Sequence, residues 1–366
     1  MARTITTEGT YSNTEKVIRQ RLSRMMDDCI LMTVSTTGNS TSATIATTNP
    51  PQFYGKAADY FNKGEYEVYC YSGTNLGVSR LASDWASYVL TVTPAATSSY
   101  DATSCLELHR IFYVIELRDA INQAIDFYTR KYLIDLKDET TIVLAETTSN
   151  DDRTLYTYEY TLPTNLLYIH RVTREGYIGG KKLTGTRTST AFTLGETVTE
   201  GTATGILSYG PASGTYILVR EVDGTFATGG TATGGTSGAT CTAITAVADE
   251  TVGDGTFPEA NIIDPRDYTI LKAYAPKIKF DETQFTIIDD LRVRLEGQGV
   301  QINVTADTDT IFLPPDEFIE VAATYLPFSK VESNNLTAVF NKCLEARARV
   351  EARPPMAPYP NARKCW

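Results

Sequence analysis

Apolar and polar positions recur along this chain with two different periods, and the switches between them mark out its elements. Behind a polar cap at Asn13-Thr-Glu-Lys, the residues Val17, Ile18, Leu22, Met25 and Met26 fall on one helical face, which predicts a first helix ending near Asp27-Asp28. Val114, Leu117, Ile121, Ala124, Ile125, Tyr128 and Tyr132 follow the i, i+3, i+4 pattern, with Glu116, Arg118, Asp119 and Arg130 opposite, giving the clearest helix of the chain. A third helix is predicted from Pro314-Pro315-Asp316-Glu317, because proline suits a first turn and acids suit the positive end of the helix dipole. It carries Phe318, Val321, Ala322 and Tyr325 inward, and Pro327 disturbs its end. A fourth is expected from Asn334 to Ala352, with Leu336, Val339, Phe340, Cys343 and Leu344 inward and Glu345, Arg347, Arg349 and Glu351 outward.

Between the first two helices the period drops to two. Glu67-Val-Tyr-Cys-Tyr and Tyr88-Val-Leu-Thr-Val-Thr alternate and then meet turn residues, which predicts a small barrel or curled sheet. Strand patterning returns after the second helix, where Tyr156, Tyr158 and Tyr160 alternate with Thr157, Glu159 and Thr161. Inside that region residues 177–257 are dominated by Gly and Thr and contain a repeat: Phe192-Thr-Leu-Gly-Glu-Thr-Val-Thr aligns with Phe226-Ala-Thr-Gly-Gly-Thr-Ala-Thr. Phe192, Ile206, Tyr216, Ile217, Val219, Phe226, Ile244 and Val247 supply apolar anchors at strand spacing, which favours an inserted β-module over a flexible linker.

The pattern as a whole predicts an α+β fold: a discontinuous four-helix bundle with β-rich excursions, one a small barrel-like domain and one a larger β domain carrying the Gly/Thr-rich insertion. The expected divisions are an N-terminal arm and first helix at 1–29, a small β domain at 30–111 and the second helix at 112–135. A β domain at 136–313 carries the module 177–257, the last two helices occupy 314–352, and an extended C-terminal arm occupies 353–366. Four prolines within the arm exclude a helix and favour a semi-rigid extended chain.

Composition narrows the chemistry. With 366 residues and 42% apolar content the chain has material for more than one core. Its 33 Lys and Arg against 44 Asp and Glu leave a net charge of -11, which argues against wrapping nucleic acid through a basic surface. Apolar runs such as Ile111 to Ile115 fall far short of the roughly 20 residues of a membrane helix, and Met1-Ala-Arg-Thr-Ile-Thr-Thr-Glu has no secretory pattern, so a soluble protein without a membrane partner is expected. The six cysteines form no C-x-x-C pair and read as free thiols. His109 and His170 sit in strand-like stretches without a nucleophile elbow and read as packed or surface side chains. No Gly-Gly stretch has the P-loop form, and Asp307-Thr-Asp309 reads as a solvated turn rather than a calcium loop. No catalytic residue, cofactor or metal is expected. A carboxylate-based hydrolase stays open as an alternative, because acids are plentiful and their separations are not visible in sequence. A glycan-binding or host-recognition protein is the other, suggested by the Tyr/Thr-rich strands and the repeat.

A series of segments in fixed order carries a resemblance. They are Thr33-Val-Ser-Thr-Thr-Gly-Asn-Ser-Thr, Tyr60-Phe-Asn-Lys-Gly, Tyr71-Ser-Gly-Thr-Asn-Leu-Gly-Val-Ser-Arg-Leu, Leu106-Glu-Leu-His-Arg and Glu116-Leu-Arg-Asp-Ala-Ile-Asn-Gln-Ala. Tyr158-Glu-Tyr-Thr-Leu-Pro-Thr-Asn-Leu-Leu-Tyr-Ile-His-Arg-Val, Leu295-Glu-Gly-Gln-Gly, Ala306-Asp-Thr-Asp-Thr and Leu313-Pro-Pro-Asp-Glu-Phe continue it. In this order the chain resembles the head-to-tail adaptor (connector or neck) proteins of tailed bacteriophages over most of residues 13–350, outside the insertion. The resemblance implies a structural virion protein at the head-tail junction, a ring of copies expected to be a dodecamer. Its implied partners are the portal protein, a tail or nozzle protein, other copies of itself, and genomic DNA that passes through the lumen without sequence-specific binding. It also implies that the C-terminal arm holds the portal. Met356, Tyr359 and Trp366 are then the groups that fill partner pockets, and Arg363 and Lys364 meet acidic portal surface.

Overall fold

The computed structural model describes residues 13–46, 59–62, 65–148, 154–188, 190–210, 214–272, 275–288, 291–360 and 362–365. Strand makes up 40% and helix 19% of the structure. The expected α+β fold built on a discontinuous four-helix bundle is therefore incorrect. The protein is β-rich, with five helices and two closed six-stranded barrels among the described residues. The physical reason is that the strands between the helices bury their alternate side chains inside barrels of their own, so most of the core is β core. No helix among the described residues is long and apolar enough to cross a membrane.

The chain divides into two compact units. The first, Gly9–Ile134 with Gln301–Ala357, holds all five helices: α1 (Glu15–Met25), α2 (Val114–Tyr128), α3 (Pro315–Ala323), α4 (Phe328–Ser333) and α5 (Thr337–Ala352). Helices α1, α2 and α3 pack on one another, and α5 packs on α3. In α2 the buried residues are Val114, Leu117, Ala120, Ile121, Ala124, Ile125 and Tyr128, and Glu116 reaches back to cap the Tyr113 amide at 2.9 Å. Pro327 stands at the N-cap of α4, and Asn335 with φ 58° turns the chain between α4 and α5, so the expected fourth helix is split off from a short extra one. In α5 Phe340, Cys343, Ala346 and Val350 point inward, whereas Leu344, expected inward, is exposed.

The same unit contains the first barrel. Its strands run in the spatial order Ile30–Thr36, Ser42–Ile45, Val89–Thr93, Ser79–Ala86, Glu67–Ser72 and Cys105–His109, all antiparallel and closed on themselves. Met32, Val34, Phe61, Trp85, Leu90, Leu106 and Leu108 fill its interior. Alternation along Cys105–His109 puts Leu106 and Leu108 into that interior, so Glu107 and His109 face away from it, yet both are fully buried. What lies on that second face defines the site below.

The second unit contains Asp135–Val300 and Pro358–Trp366. One sheet orders Arg363–Lys364, Leu166–Arg174, Arg292–Gly299 and Ile134–Val143, and another orders Glu159–Thr161, Lys277–Phe280 and Tyr268–Leu271. The Gly/Thr-rich segment closes into the second barrel, with spatial order Tyr177–Arg187, Tyr216–Asp223, Ala203–Tyr209, Thr197–Glu200, Ala232–Gly234 and Thr240–Gly253. The sequence repeat has a physical basis here. Phe192 and Phe226 are both core residues, as are Val198 and Ala232, and Gly195 and Gly229 both take a left-handed turn that a side chain would strain. Thr199 pairs directly with its own repeat equivalent, Thr233, which places a local two-fold between the two copies. The module's ends meet, since Tyr177 pairs with Gly253. Just outside them Glu175 accepts hydrogen bonds from the Gly255 amide at 2.8 Å and from the Arg292 amide and Nε at 2.9 Å each.

This geometry makes excision feasible, because a short bridge closes a small gap at low entropic cost. Replacing Ile178 to Val252 by a short Gly/Ser turn is expected to leave a soluble chain with an unchanged helical circular dichroism signal and a cooperative melt. An insoluble or non-cooperative product would show that the rest of the fold needs the module.

Candidate functional site

Helix α1 buries two neighbouring stripes. Ile18 and Leu22 form an apolar one, while Glu15, Arg19 and Ser23, spaced by four residues, form a polar one that is equally buried. Burying a guanidinium requires that its donors be matched, and Arg19 is matched on three sides. It donates to Glu15 Oε2 at 2.6 Å and Asp307 Oδ1 at 2.9 Å, and grips Glu107 with Nε at 3.1 Å and Nη2 at 3.0 Å. Arg118 of α2 closes the ring, donating to Asp307 Oδ1 at 2.7 Å and Glu15 Oε1 at 3.3 Å. The Tyr69 hydroxyl donates to the same Asp307 oxygen at 2.7 Å, and its ring lies 4.7 Å from the Arg19 guanidinium carbon. His109 spans the edge, with Nε2 3.1 Å from Glu107 and Nδ1 3.0 Å from the Ser23 hydroxyl.

Three carboxylates and two guanidiniums thus share one volume, in which Arg19, Glu15 and Glu107 are fully buried and Arg118 reaches the surface. Burial lifts the Glu15 carboxyl above its ordinary value, and Arg19 and Arg118 offset this only in part. At Glu107 burial acts in the same sense, but the His109 hydrogen bond and the Arg19 charge outweigh it and hold the carboxyl at about 2. Burial and the bond to Asp307 push the Tyr69 phenol up to about 12. The Glu15 and Glu107 side chains have no exposed surface. What the cluster does is join α1, the first barrel, α2 and the segment before α3. No group of His, Cys, Asp and Glu suited to a metal ion occurs among the described residues.

Asp307 corrects the expectation of a solvated turn. It is Asp309 that fits a turn, with Oδ2 accepting the Thr305 and Ala306 amides at 2.6 and 2.8 Å, while Asp307 is the buried acceptor. The only trace of the network in the sequence is a Glu15–Arg19 pair at i, i+4 on the face that also carries Ile18 and Leu22.

The C-terminal segment is the second candidate. In the helical unit, Met356 donates its amide to the Lys131 carbonyl at 2.9 Å and helps line a groove of about 550 Å³ with Tyr128, Tyr132, Pro314, Pro315 and Val350. In the other unit, the Tyr359 hydroxyl donates to Asp135 Oδ2 at 2.9 Å and its amide to Gln298 Oε1 at 2.8 Å. Arg363 and Lys364 pair with Ile169 and Tyr168 as an edge strand, and Cys365 is buried behind them. The segment is thus anchored within the chain itself. Met356 and Tyr359 keep exposed side chains, 43% and 42%, and Lys364 is exposed, whereas the Arg363 guanidinium is engaged by the Tyr268 carbonyl at 2.8 Å and lies over the Tyr268 ring. Trp366 lies outside the described residues, as does the part of the expected N-terminal arm before Asn13. His170 is exposed, with its ring 5.6 Å from that of Tyr359.

Comparison with protein-family models, curated proteins and solved structures gives no match for this chain.

Removing one partner of a buried ion cluster strands the others, so Arg19→Met is expected to cost about 3–5 kcal/mol in denaturant unfolding. The acid limb follows from Glu107. Its folded pKa of about 2 lies below the ordinary 4.5, so its contribution is complete above pH 4.5 and is lost as pH falls toward 2. Glu15, shifted upward, works in the opposite sense and favours the fold when protonated. Unfolding midpoints measured across that range should fall for the wild type and flatten in Glu107→Gln; parallel curves would exclude Glu107 as the titrating group.

Proposed function

We propose that this chain is a structural subunit of a tailed-phage head-to-tail adaptor, forming a ring beneath the portal that continues the DNA channel and attaches the tail. The observation that carries this reading is an apolar surface at one end of the helical unit. Lys330 lies 4.6 Å from the centre of the Tyr113 ring and donates to Glu116 at 2.7 Å, which ties the start of α4 to the start of α2. Around that tie Ile115 is 65% and Phe328 52% exposed. Large apolar groups gathered in this way are costly in water and suit a surface that another subunit covers.

Three further features support the same role. The charged groups of the buried cluster are matched to one another, which suits the helical unit to a rigid, load-transmitting role. A net charge of -11 suits a conduit, because phosphate neighbours without basic clusters release no counterions and DNA slides without sticking. Met356 and Tyr359 hold exposed apolar surface on a proline-rich segment, which fits the portal-facing contact implied by the resemblance.

Negative-stain electron microscopy of the purified chain, alone and mixed with a portal ring, tests the proposal. Rings with a central channel are expected, and a double variant Ile115→Asp with Phe328→Asp is expected to stay monomeric while keeping its circular dichroism spectrum. Met356→Ala with Tyr359→Ala should weaken portal capture in a pull-down without dispersing the ring. A chain that remains monomeric under both conditions would refute the reading.

A further inference from the structure

A closed ring of identical subunits joined head to tail needs two different surfaces on each copy, because such a contact never pairs a patch with itself. The exposed apolar surface around Ile115 and Phe328 is one of them. Helices α2 and α5 lead to the other. Both begin at the apolar end, where Lys330 donates to Glu116 of α2 and the Phe328 ring lies 5.5 Å from that of Phe340 in α5. Both finish at the groove beside Pro314, which Tyr128 and Tyr132 line from the end of α2 and Val350 and Arg353 from the end of α5. At about 1.5 Å per residue, the 15 residues of α2 and 16 of α5 hold the two surfaces about 22 to 24 Å apart. They stand at opposite ends of the helical unit.

The two surfaces differ in shape and agree in chemistry. Phe328 and Ile115 are large exposed side chains, whereas the groove encloses about 550 Å³, a volume typical of sites that engulf a small ligand. Its tyrosine, proline and methionine walls suit an aromatic anchor. The charges at each surface are matched before any contact is made. Beside Phe328, Lys330 is held by Glu116; at the groove, Arg353 grips Glu317 at 2.8 and 2.5 Å, and Arg21 binds Asp316. Lys131 Nζ donates to the Glu351 and Arg353 carbonyls at 2.9 and 3.1 Å. Joining the two surfaces therefore strands no charge.

We propose that the groove receives the Phe328 and Ile115 side chains of a second copy of this chain, so that each helical unit inserts one end into the opposite end of its neighbour. The inference rests on the ring-subunit reading and names the two faces of its repeating contact. Met356 stands at the exposed lip, so its truncation to alanine leaves in place the tyrosine and proline walls that hold the neighbour.

Two variants, each lacking a different half of the contact, test it. Ile115→Asp with Phe328→Asp removes the inserted end, and Pro354→Glu with Met356→Glu, both at exposed positions, puts charge into the groove. Each is expected to sediment as a monomer with an unchanged circular dichroism spectrum, in conditions where the wild type forms rings. Mixed in equal amounts, they should give a heterodimer and nothing larger, since one intact end meets one intact groove and neither chain extends further. Rings from the groove variant, or a mixture that stays monomeric, would overturn the groove assignment while wild-type rings still stand. Wild-type monomers, alone and with a portal ring, would refute the ring reading and this inference with it. If the groove variant fails to fold, Pro354→Glu alone replaces it and is held to the same outcomes.

Discussion

The helical unit depends on one fully buried guanidinium, Arg19, held among three carboxylates, with Arg118 joining the cluster from its partly exposed edge. Isolated, α1 has only 11 residues and too little apolar face to fix its own orientation. Arg19 removes that freedom, because its bonds to Glu15, Glu107 and Asp307 can all be made in only one rotation and one register of the helix against the barrel. A purely apolar seam of the same volume would match or exceed its stability. What an ion cluster adds is specificity: any slip leaves a buried charge unmatched, at a cost of several kcal/mol. Residues separated by 88 and 288 positions in sequence are fixed to one another in this way.

The same use of acids recurs on a smaller scale throughout the chain. Asp28 accepts the amides of Arg110, Ile111 and Phe112 at 2.7–2.8 Å, holding the chain as it enters α2. In the inserted barrel Glu196 accepts the amides of Thr193, Thr236 and Ser237 at 2.7–2.8 Å and the Ser237 hydroxyl at 2.7 Å. A Gly/Thr-rich segment that composition alone would leave loose is therefore pinned at its turns by carboxylates. Acids thus serve repeatedly as backbone acceptors that fix loops and turns.

How much could be read from the sequence follows from where each signal resides. Helix α2 was legible because its seven buried residues obey one period and Glu116 caps it, all local features. The repeat was legible because Phe192 and Phe226, Gly195 and Gly229, and Val198 and Ala232 meet the same local demands twice. The error in fold class arose from giving four amphipathic stretches the role of the main core. Periodicity shows that a face is buried but not against what, and the strands here bury theirs against each other by closing into barrels. Asp307 and Arg19 were illegible for a related reason. A charged residue on a helix or in a turn reads as solvated unless its partner is known, and these partners lie on other elements. Leu344 and Val17 fail in the opposite sense, as apolar positions at inward spacing that the fold leaves exposed.

Those last residues connect the fold to its proposed role. The helical unit uses its most strongly interacting groups internally: Arg19, Arg118, Glu15, Glu107 and Asp307 are matched among themselves and have little left to give a partner. The unit also leaves large apolar side chains exposed, with Ile115, Phe328, Val17 and Leu344 each contributed by a different helix. An interface built from that material draws its affinity from apolar burial, which ionic strength screens little, whereas contact with passing DNA is governed by charge and falls steeply with salt. A conduit needs that separation. In the proposed ring, subunits held by apolar contacts would stay together whatever the ionic conditions around the duplex.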